Sequence, residues 1–205
     1  MKRKLGILSG LILSLFTTSQ LCFAALMEVD HPIFGVKALT VDTSSQLAWL
    51  DLTCSLNYSF LQAEAATQPG GVFQGFRHAT SDEIEGLFNH AGLANHMLYA
   101  DPAPVVSSFV ARVGATSFDG GPETFGISAT PMAGNVRWVG GVDYISANGV
   151  GFYNVSVDVV GYGETTAFPT VGNWLVMAVP EPTSATLLLG GIFALRLLRS
   201  RAASR

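Results

Sequence analysis

Hydrophobic positions divide the chain into two long apolar runs near its ends and a body with shorter hydrophobic periods between them. The first run covers residues 5 to 16 and follows three basic residues at positions 2 to 4. A polar stretch then leads to the small residue Ala24, which completes the layout of a secretory signal peptide. We predict that residues 1 to 24 form the signal peptide and that the cut lies between Ala24 and Ala25. A run of this length is too short for a permanent span of about 20 residues.

The second apolar run lies close to the carboxyl terminus. From Ala185 to Leu198 there are fourteen residues, all apolar or glycine with two exceptions, one of which is Arg196. A helix of that length reaches about 21 Å, whereas the hydrocarbon core of a bilayer is about 30 Å thick. Because interfacial residues and a snorkelling arginine can make up the difference, the pattern predicts a minimal transmembrane helix over about residues 184 to 198.

Basic residues after this helix predict its orientation. Arg196, Arg199 and Arg201 form a basic stop, and such residues stay on the cytoplasmic side. The basic start of the signal peptide stays there as well, so the body between them is predicted to cross the inner membrane. Pro180 and Pro182 prevent a continuous helix from body to tail, and the tail is therefore a separate module.

The first half of the body mixes strand and helix patterns. Short apolar runs over 37–42 and 47–52 flank the turn sequence Thr-Ser-Ser-Gln, which predicts a hairpin. Residues 55–66 contain few helix breakers and place Leu56, Phe60, Ala63 and Ala66 at helical spacing. We predict an amphipathic helix there that ends before Pro69-Gly70-Gly71.

A capping signal marks the clearest helix of the body. Thr80 with Glu83 three residues later has the pattern of a capping box, and Gly92 stands where a carboxyl-terminal cap belongs. The helix is predicted over about 81–91, and its buried face consists of Ile84, Leu87, Phe88 and Ala91. Another helix is predicted over 105–113, after two prolines.

The second half of the body is rich in β-branched and aromatic residues separated by glycine, asparagine and proline. Strands are predicted over 124–130, 136–145, 151–160 and 174–179. Within the third strand the alternation predicts one buried and one wet face, the buried face being Tyr153, Val155, Val157 and Val159 and the wet face Phe152, Asn154, Ser156 and Asp158. Strands and helices followed by an antiparallel β meander predict an α+β domain, which we place at residues 25–178.

The net charge of the body limits its possible partners. The interval 25–179 holds fourteen of the fifteen acidic residues but only four of the eleven basic ones, so the body is near −10. Nucleic acid is therefore excluded as a partner, because phosphate binding relies on clustered Lys and Arg. After loss of the signal peptide Cys54 is the only cysteine, and no intramolecular disulfide can form.

The tail carries a family resemblance. Val179-Pro180-Glu181-Pro182, the apolar helix and the terminal arginines occur in the order of a PEP-CTERM sorting signal, which here covers residues 179–205. Arg196 lies earlier than the usual basic cluster. The resemblance implies that a membrane-embedded exosortase removes the tail near Pro180 to Pro182 and that the body belongs to a secreted or surface protein of bacteria that make exopolysaccharide. A permanent tail anchor is the alternative.

The body resembles a recurring type among PEP-CTERM proteins, and the matches cover about a quarter of it. The matching segments are Leu47-Ala48-Trp49-Leu50-Asp51-Leu52, Gly75-Phe76-Arg77-His78-Ala79-Thr80 and Gly172-Asn173-Trp174-Leu175-Val176. Phe76 and His78 replace the usual Trp and Tyr. The middle turn is more distantly similar to an element of bacterial domains related to C-type lectin-like and formylglycine-generating-enzyme folds, and this implies architecture more than activity.

Several reactive or ionisable side chains of the body could serve catalysis or metal binding, but each also has a structural explanation. Cys54 and His78 could form a nucleophile and base, but a lone thiol is more often a small core residue. We expect Arg77 to pair with Glu83 or Glu85, or to cap backbone carbonyls, rather than bind substrate. His90 and His96 are spaced too widely for a zinc pair, and Asp119, Glu123 and Asp143 lack the pattern of a calcium loop. No metal, cofactor or catalytic residue is therefore assigned.

These expectations combine into one functional hypothesis with two alternatives. The chain is expected to be a non-enzymatic cell-surface or extracellular-matrix protein, processed by signal peptidase and exosortase and associated with extracellular polysaccharide in a biofilm. An extracellular enzyme with an unrecognised site is the first alternative. The second is a structural component with no ligand.

Overall fold

The computed structural model describes residues 26 to 179 except residue 148. The predicted signal peptide and its cut, Pro180 to Pro182 of the sorting motif, the tail helix and the basic stop lie outside the described residues. Within the described part of the chain, no helix is long and apolar enough to cross a membrane.

Eleven strands and three α-helices build the described body. The strands are β1 Leu26–His31, β2 Gly35–Asp42, β3 Leu47–Leu50, β4 Arg77–His78, β5 Met97–Ala100, β6 Ser117–Phe118, β7 Pro122–Ala133, β8 Val136–Ala147, β9 Val150–Gly163, β10 Gly172–Asn173 and β11 Leu175–Ala178. The helices are α1 Phe60–Ala66, α2 Ser81–His90 and α3 Pro104–Val113, with a short 3-10 helix at Leu52–Ser55.

The strands form two main sheets. One has the order β1, β2, β3, β11, β4 and is antiparallel throughout, and the other has the order β10, β7, β8, β9, β5 with β6 paired to β7. The predicted hairpin of residues 37–42 and 47–52 is confirmed by the pairing of β2 with β3. The long antiparallel strands β7, β8 and β9 are neighbours in both chain and sheet, as a meander requires. The predicted α+β class is confirmed.

The main core lies where the two sheets meet α2 and α3. Trp49 and Val176 enter it from the first sheet, Val142 and Val155 from the second, and the helices supply an apolar face that includes Ile84, Leu87, Phe88, Val106, Phe109, Val110 and Val113. A second cluster covers the opposite face of the first sheet with Leu50, Leu175, Ala63, Phe73 and Phe76. The first sheet is therefore buried on both faces in its centre.

One segment near the carboxyl end joins the two sheets. Strand β10 pairs in parallel with β7 in one sheet, whereas β11 pairs antiparallel with β3 and β4 in the other. Trp174 stands between the two short strands, and its backbone N–H donates to the Ile127 carbonyl while its own carbonyl accepts from the Ala79 N–H. The strand predicted over 174–179 is thus a bridge between sheets as well as a strand.

The helix predicted over 55–66 is shorter than expected, and this prediction was wrong at its start. Residues 52–55 form a 3-10 turn, Asn57 has a positive φ of 63°, and the α-helix begins only at Phe60. Ser59 and Gln62 make a reciprocal capping box that sets this start. The predicted face is retained in part, because Phe60 and Ala63 are buried.

The predicted alternation of buried and wet positions on β9 holds only in part. Tyr153, Val155 and Val157 are buried as expected, but Val159 is only half-buried, and Ser156 is buried too. Its hydroxyl donates to the Asp158 carboxylate at 2.6 Å and lies 3.4 Å from the His96 ring, on the segment that leads into β5. Because β5 pairs with β9 at Val155, this neighbouring segment covers Ser156.

The predicted capping box of α2 is confirmed and carries a testable stability effect. The Thr80 hydroxyl accepts from the Glu83 N–H at 3.3 Å, and the Glu83 carboxylate accepts from the Thr80 N–H at 2.9 Å. We expect Thr80→Ala to lower the free energy of unfolding by about 1 kcal/mol in urea denaturation. Thr80→Ser keeps the hydroxyl and is expected to remain near wild type, so an equal loss in both variants would contradict a capping role.

Candidate functional site

A cleft opens on the surface between α2, α3 and the start of β1. It encloses about 370 Å³, at the small end of the range for small-molecule sites. The lining residues are Leu26, His90, Ala91, Val105, Ser108, Phe109 and Arg112. Four of them come from α3 at positions 105, 108, 109 and 112, a spacing that places side chains on one face of a helix. The cleft is thus the outward continuation of the α3 packing face.

His90 enters the cleft from the last residue of α2 and is held by a buried carboxylate. Its Nδ1 lies 2.7 Å from the Asp42 carboxylate, which is fully buried at the end of β2. The same carboxylate accepts from the Ser44 N–H at 2.9 Å and the Ser45 hydroxyl at 2.5 Å. The ring is therefore fixed through Nδ1, and the His90 side chain keeps 32% of its surface exposed.

The pKa of Asp42 is lowered although the residue is buried. Burial acts in the opposite direction and is the largest single influence, but the hydrogen bonds from Ser45, His90 and Ser44 together outweigh it. The carboxylate is ionised at neutral pH and can only accept. The proton in the contact with His90 consequently lies on Nδ1 of the ring, and in the neutral imidazole Nε2 is then an acceptor.

Arg112 is the cation of the cleft. One of its Nη1 hydrogens is donated to the Leu26 carbonyl, and its own backbone carbonyl accepts from the Thr40 hydroxyl at 2.7 Å. The other Lys and Arg side chains of residues 26–179 pair with carboxylates, at 3.0 Å for Lys37 with Glu28, 2.5 Å for Arg77 with Glu83 and 2.8 Å for Arg137 with Glu164. Among the described residues, no carboxylate lies within ion-pair distance of Arg112.

Together these groups suit an oxygen-rich, anionic ligand. A guanidinium binds carboxylates through paired N–H donors, and the Ser108 hydroxyl can either donate or accept. Val105 and Leu26 add apolar wall, and Val105 keeps 38% of its surface exposed. A histidine oriented by a buried carboxylate also has the arrangement from which general bases work.

Cys54 and His78 do not form the considered nucleophile and base. His78 has both ring nitrogens bonded elsewhere, Nδ1 at 2.9 Å from Glu64 and Nε2 at 3.1 Å from the Asn173 side chain. Its ring also stacks on Phe60 at 4.2 Å. Burial lowers the pKa of His78. Cys54 packs against the second core cluster, and burial raises the pKa of its thiol to about 11.

The Cys54 thiol is therefore expected to react slowly. A Cys22→Ser variant leaves Cys54 as the single thiol. At pH 8 its alkylation by iodoacetamide should be about a hundredfold slower than that of a small free thiol, because a pKa of about 11 leaves almost no thiolate. The rate should rise as pH approaches that value and should equal the free thiol's rate in urea. A native rate at pH 8 equal to the free thiol's would contradict this environment.

The predicted pairing of Arg77 with Glu83 is confirmed, as is the carbonyl contact, since Nη1 also donates to the His78 carbonyl at 3.1 Å; Glu85 is not the partner. Two guanidinium nitrogens meet the two Glu83 oxygens at 2.8 and 2.5 Å. Arg77 lowers the pKa of Glu83, and the same hydrogen bond raises the pKa of Arg77. Because Glu83 also serves the capping box, Arg77 ties β4 to the start of α2 and has a structural role.

The remaining candidate ligands form no metal site within the described part of the chain. His90 contacts Asp42, while His96 lies 3.6 Å from Asp158. Glu123 is buried and accepts from the Tyr144 N–H at 2.9 Å, and the pKa of Asp143 is raised by burial and by the charges of Glu123 and Asp119. Over residues 26–179, excluding residue 148, no three His, Cys, Asp or Glu side chains are placed to hold a metal ion.

The cleft brings together residues that sequence reasoning did not combine. Asp42 and His90 are 48 positions apart, and no local pattern joins them. The helical spacing of Val105, Ser108 and Arg112 was a usable signal within a helix that had been predicted. Ser108 and Arg112 form a polar edge beside the apolar face of α3.

Comparisons with known proteins give no match. No family model matches the chain, and neither a curated protein nor a solved structure matches it. The functional argument therefore rests on the residues of this chain.

Proposed function

We propose that this protein is exported across the inner membrane and released or displayed outside the cell, where its body associates with extracellular polysaccharide in a biofilm matrix. Signal peptidase removes residues 1–24 and an exosortase removes the tail after a transient membrane span. The observation that carries this proposal is the sequence of segments at the carboxyl terminus. Val179-Pro180-Glu181-Pro182 comes first, an apolar run follows, and a basic stop of Arg196, Arg199 and Arg201 comes last.

The pairing of the two end strands is compatible with removal of both flanks. Strand β1 covers Leu26–His31 and β11 covers Leu175–Ala178. Both strands belong to one sheet and pair with β2, β3 and β4. Because these ladders are built from residues 26–178, proteolysis on either side breaks none of their hydrogen bonds.

The cleft supports polysaccharide as the ligand class. Saccharides present hydroxyl and acidic oxygens together with C–H faces, and the cleft offers Arg112, His90 and Ser108 beside Val105 and Leu26. Ligand sites combine an apolar wall with a few polar groups that fix orientation, and this cleft has both. The lectin-like resemblance of the Arg77 turn favours the same ligand class.

Retention on polysaccharide tests this proposal. The purified extracellular form is passed over the immobilised polysaccharide of the producing cells, with and without calcium. We expect delayed elution on this matrix and none on a matrix of unrelated neutral glucan. Elution in the void volume of both columns would count against a polysaccharide-binding role and would leave the purely structural alternative.

A second candidate function, an extracellular enzyme, is favoured by the His90–Asp42 contact. A ring fixed through Nδ1 at 2.7 Å with its other nitrogen available in a cleft is the geometry of a general base. Incubation with the same polysaccharide distinguishes the two functions. Release of new reducing ends that is lost in His90→Gln would favour the enzyme, and retention without cleavage favours the binding protein.

A further inference from the structure

The acidic body carries one guanidinium that is not neutralised by a carboxylate within the described residues, and that guanidinium lies in the cleft. The body has a charge near −10, and three of its four basic side chains are used in ion pairs. An unpaired cation on an acidic protein makes the electrostatic potential around it more positive, and this favours an anionic ligand over a neutral one.

The carboxylate that holds His90 is directed away from solvent. Asp42 is fully buried, and its oxygens accept from Ser44, Ser45 and His90. The lining of the cleft itself contains no Asp or Glu. A bound anion therefore meets N–H and O–H donors rather than a competing negative charge.

From this arrangement we propose that the cleft selects acidic saccharides and that Arg112 binds the carboxylate of a uronic acid unit. The inference rests on the proposed polysaccharide association and names its substrate class. Arg112 donates to the carboxylate through the guanidinium hydrogens that the Leu26 carbonyl does not use. His90 Nε2 accepts from a sugar hydroxyl, and Ser108 adds a further polar contact at the same rim.

A matched pair of ligands isolates the charge. The full exported protein is titrated by calorimetry with a short oligogalacturonate and with its methyl ester, which keeps the sugar backbone and removes the negative charge. We expect binding of the acid to be at least about tenfold tighter than binding of the ester, because a charge-assisted bond is lost. The preference should weaken as salt is raised. Equal affinity for the two ligands would overturn the proposal.

Variants at two positions assign the selectivity to this cleft. Arg112→Gln should reduce the affinity for the acid about tenfold or more, whereas Arg77→Gln removes a cation outside the cleft and should leave it unchanged. Because Arg112 also bonds to Leu26, its variant can lose stability. Val105 provides an independent test at an exposed lining position.

Opposite charges at Val105 should act in opposite directions. We expect Val105→Glu to weaken and Val105→Lys to strengthen oligogalacturonate binding at low salt, each by about two- to fivefold. Identical affinities in the two variants would overturn the assignment to this cleft. Retention on the producer's polysaccharide without any binding of oligogalacturonate would overturn the inference and leave the proposed function standing, while loss of both would remove the proposed function as well.

Discussion

Replacing Trp174 with alanine is expected to destabilise the body by about 3 to 5 kcal/mol, the usual effect of removing a large buried aromatic side chain. Trp174 is completely buried. Its ring meets Trp49 edge to face at 5.8 Å and Phe88 at 6.4 Å, and its Nε1 donates to the Gly140 carbonyl at 3.0 Å. The variant therefore opens a cavity between the sheets and leaves a buried carbonyl without its donor.

The effect should be large because the same residue joins the sheets. Gly126 of β7 has no room for a Cβ beside the Trp174 ring and Leu52, so the neighbouring strand is fitted to this indole. Urea unfolding followed by circular dichroism provides the measurement. Trp174→Phe retains most of the side-chain volume and should lose less free energy of unfolding than Trp174→Ala. Trp138→Ala, at a half-buried position, should also lose less. A Trp174→Ala loss below about 1 kcal/mol would contradict this packing.

Replacing Asp42 with asparagine is the second change with a large expected effect. At pH 7 we expect a loss of about 3 kcal/mol, because hydrogen bonds to a buried, ionised carboxylate are weakened and at least one donor is left without its acceptor. The amide supplies one acceptor oxygen where the carboxylate supplies two, and its NH₂ group faces the donors of Ser45 and His90. Asp30→Asn, at an exposed position of β1, is the matched control and should change stability little.

The pH dependence of the two proteins should differ in a defined direction. The pKa of Asp42 in the folded state is lowered, so the carboxylate contributes stability above its unfolded pKa of about 3.9. That contribution is lost as pH falls through the folded-state value. Unfolding measured from pH 7 downward should therefore show the gap between wild type and Asp42→Asn closing in acid. A gap that stays constant into strong acid would contradict an ionised, hydrogen-bonded Asp42.

Local sequence signals predicted those parts of the fold that depend on near neighbours. Thr80 and Glu83 are three residues apart, and their reciprocal hydrogen bonds form as the pattern requires. The start of α1 was misplaced because helical spacing at Leu56 was counted, whereas Ser59 and Gln62 supply the cap that decides it. Capping chemistry was thus the stronger signal at both helices.

Features that depend on distant neighbours were outside the reach of sequence patterns. Trp174 was recognised as part of a closing strand, but its place between two sheets depends on pairings with β3, β4 and β7. The contact of His90 with Asp42 likewise requires α2 to pack over the end of β2. Burial of Ser156 follows from a segment that β5 brings beside β9.

The role of Arg112 was likewise only partly predictable from the sequence. Its helix was predicted, and helical spacing places it on the face of Val105 and Ser108. The sequence does not show which basic residues form ion pairs. The structure pairs the other Lys and Arg residues with Glu28, Glu83 and Glu164, and Arg112 differs from them in having no such partner among the described residues. The candidate site is therefore defined as much by where charges are paired as by the residues that line it.

The central claim, that the chain is an export substrate trimmed at both ends, is tested most directly by the intact mass of the extracellular protein. We expect a species that begins at Ala25 and ends between Val179 and Pro182, and a variant with alanine at positions 180 to 182 should instead remain in the membrane fraction with its tail. Recovery of the segment from Leu187 to Leu198 in the extracellular wild-type protein would contradict the claim.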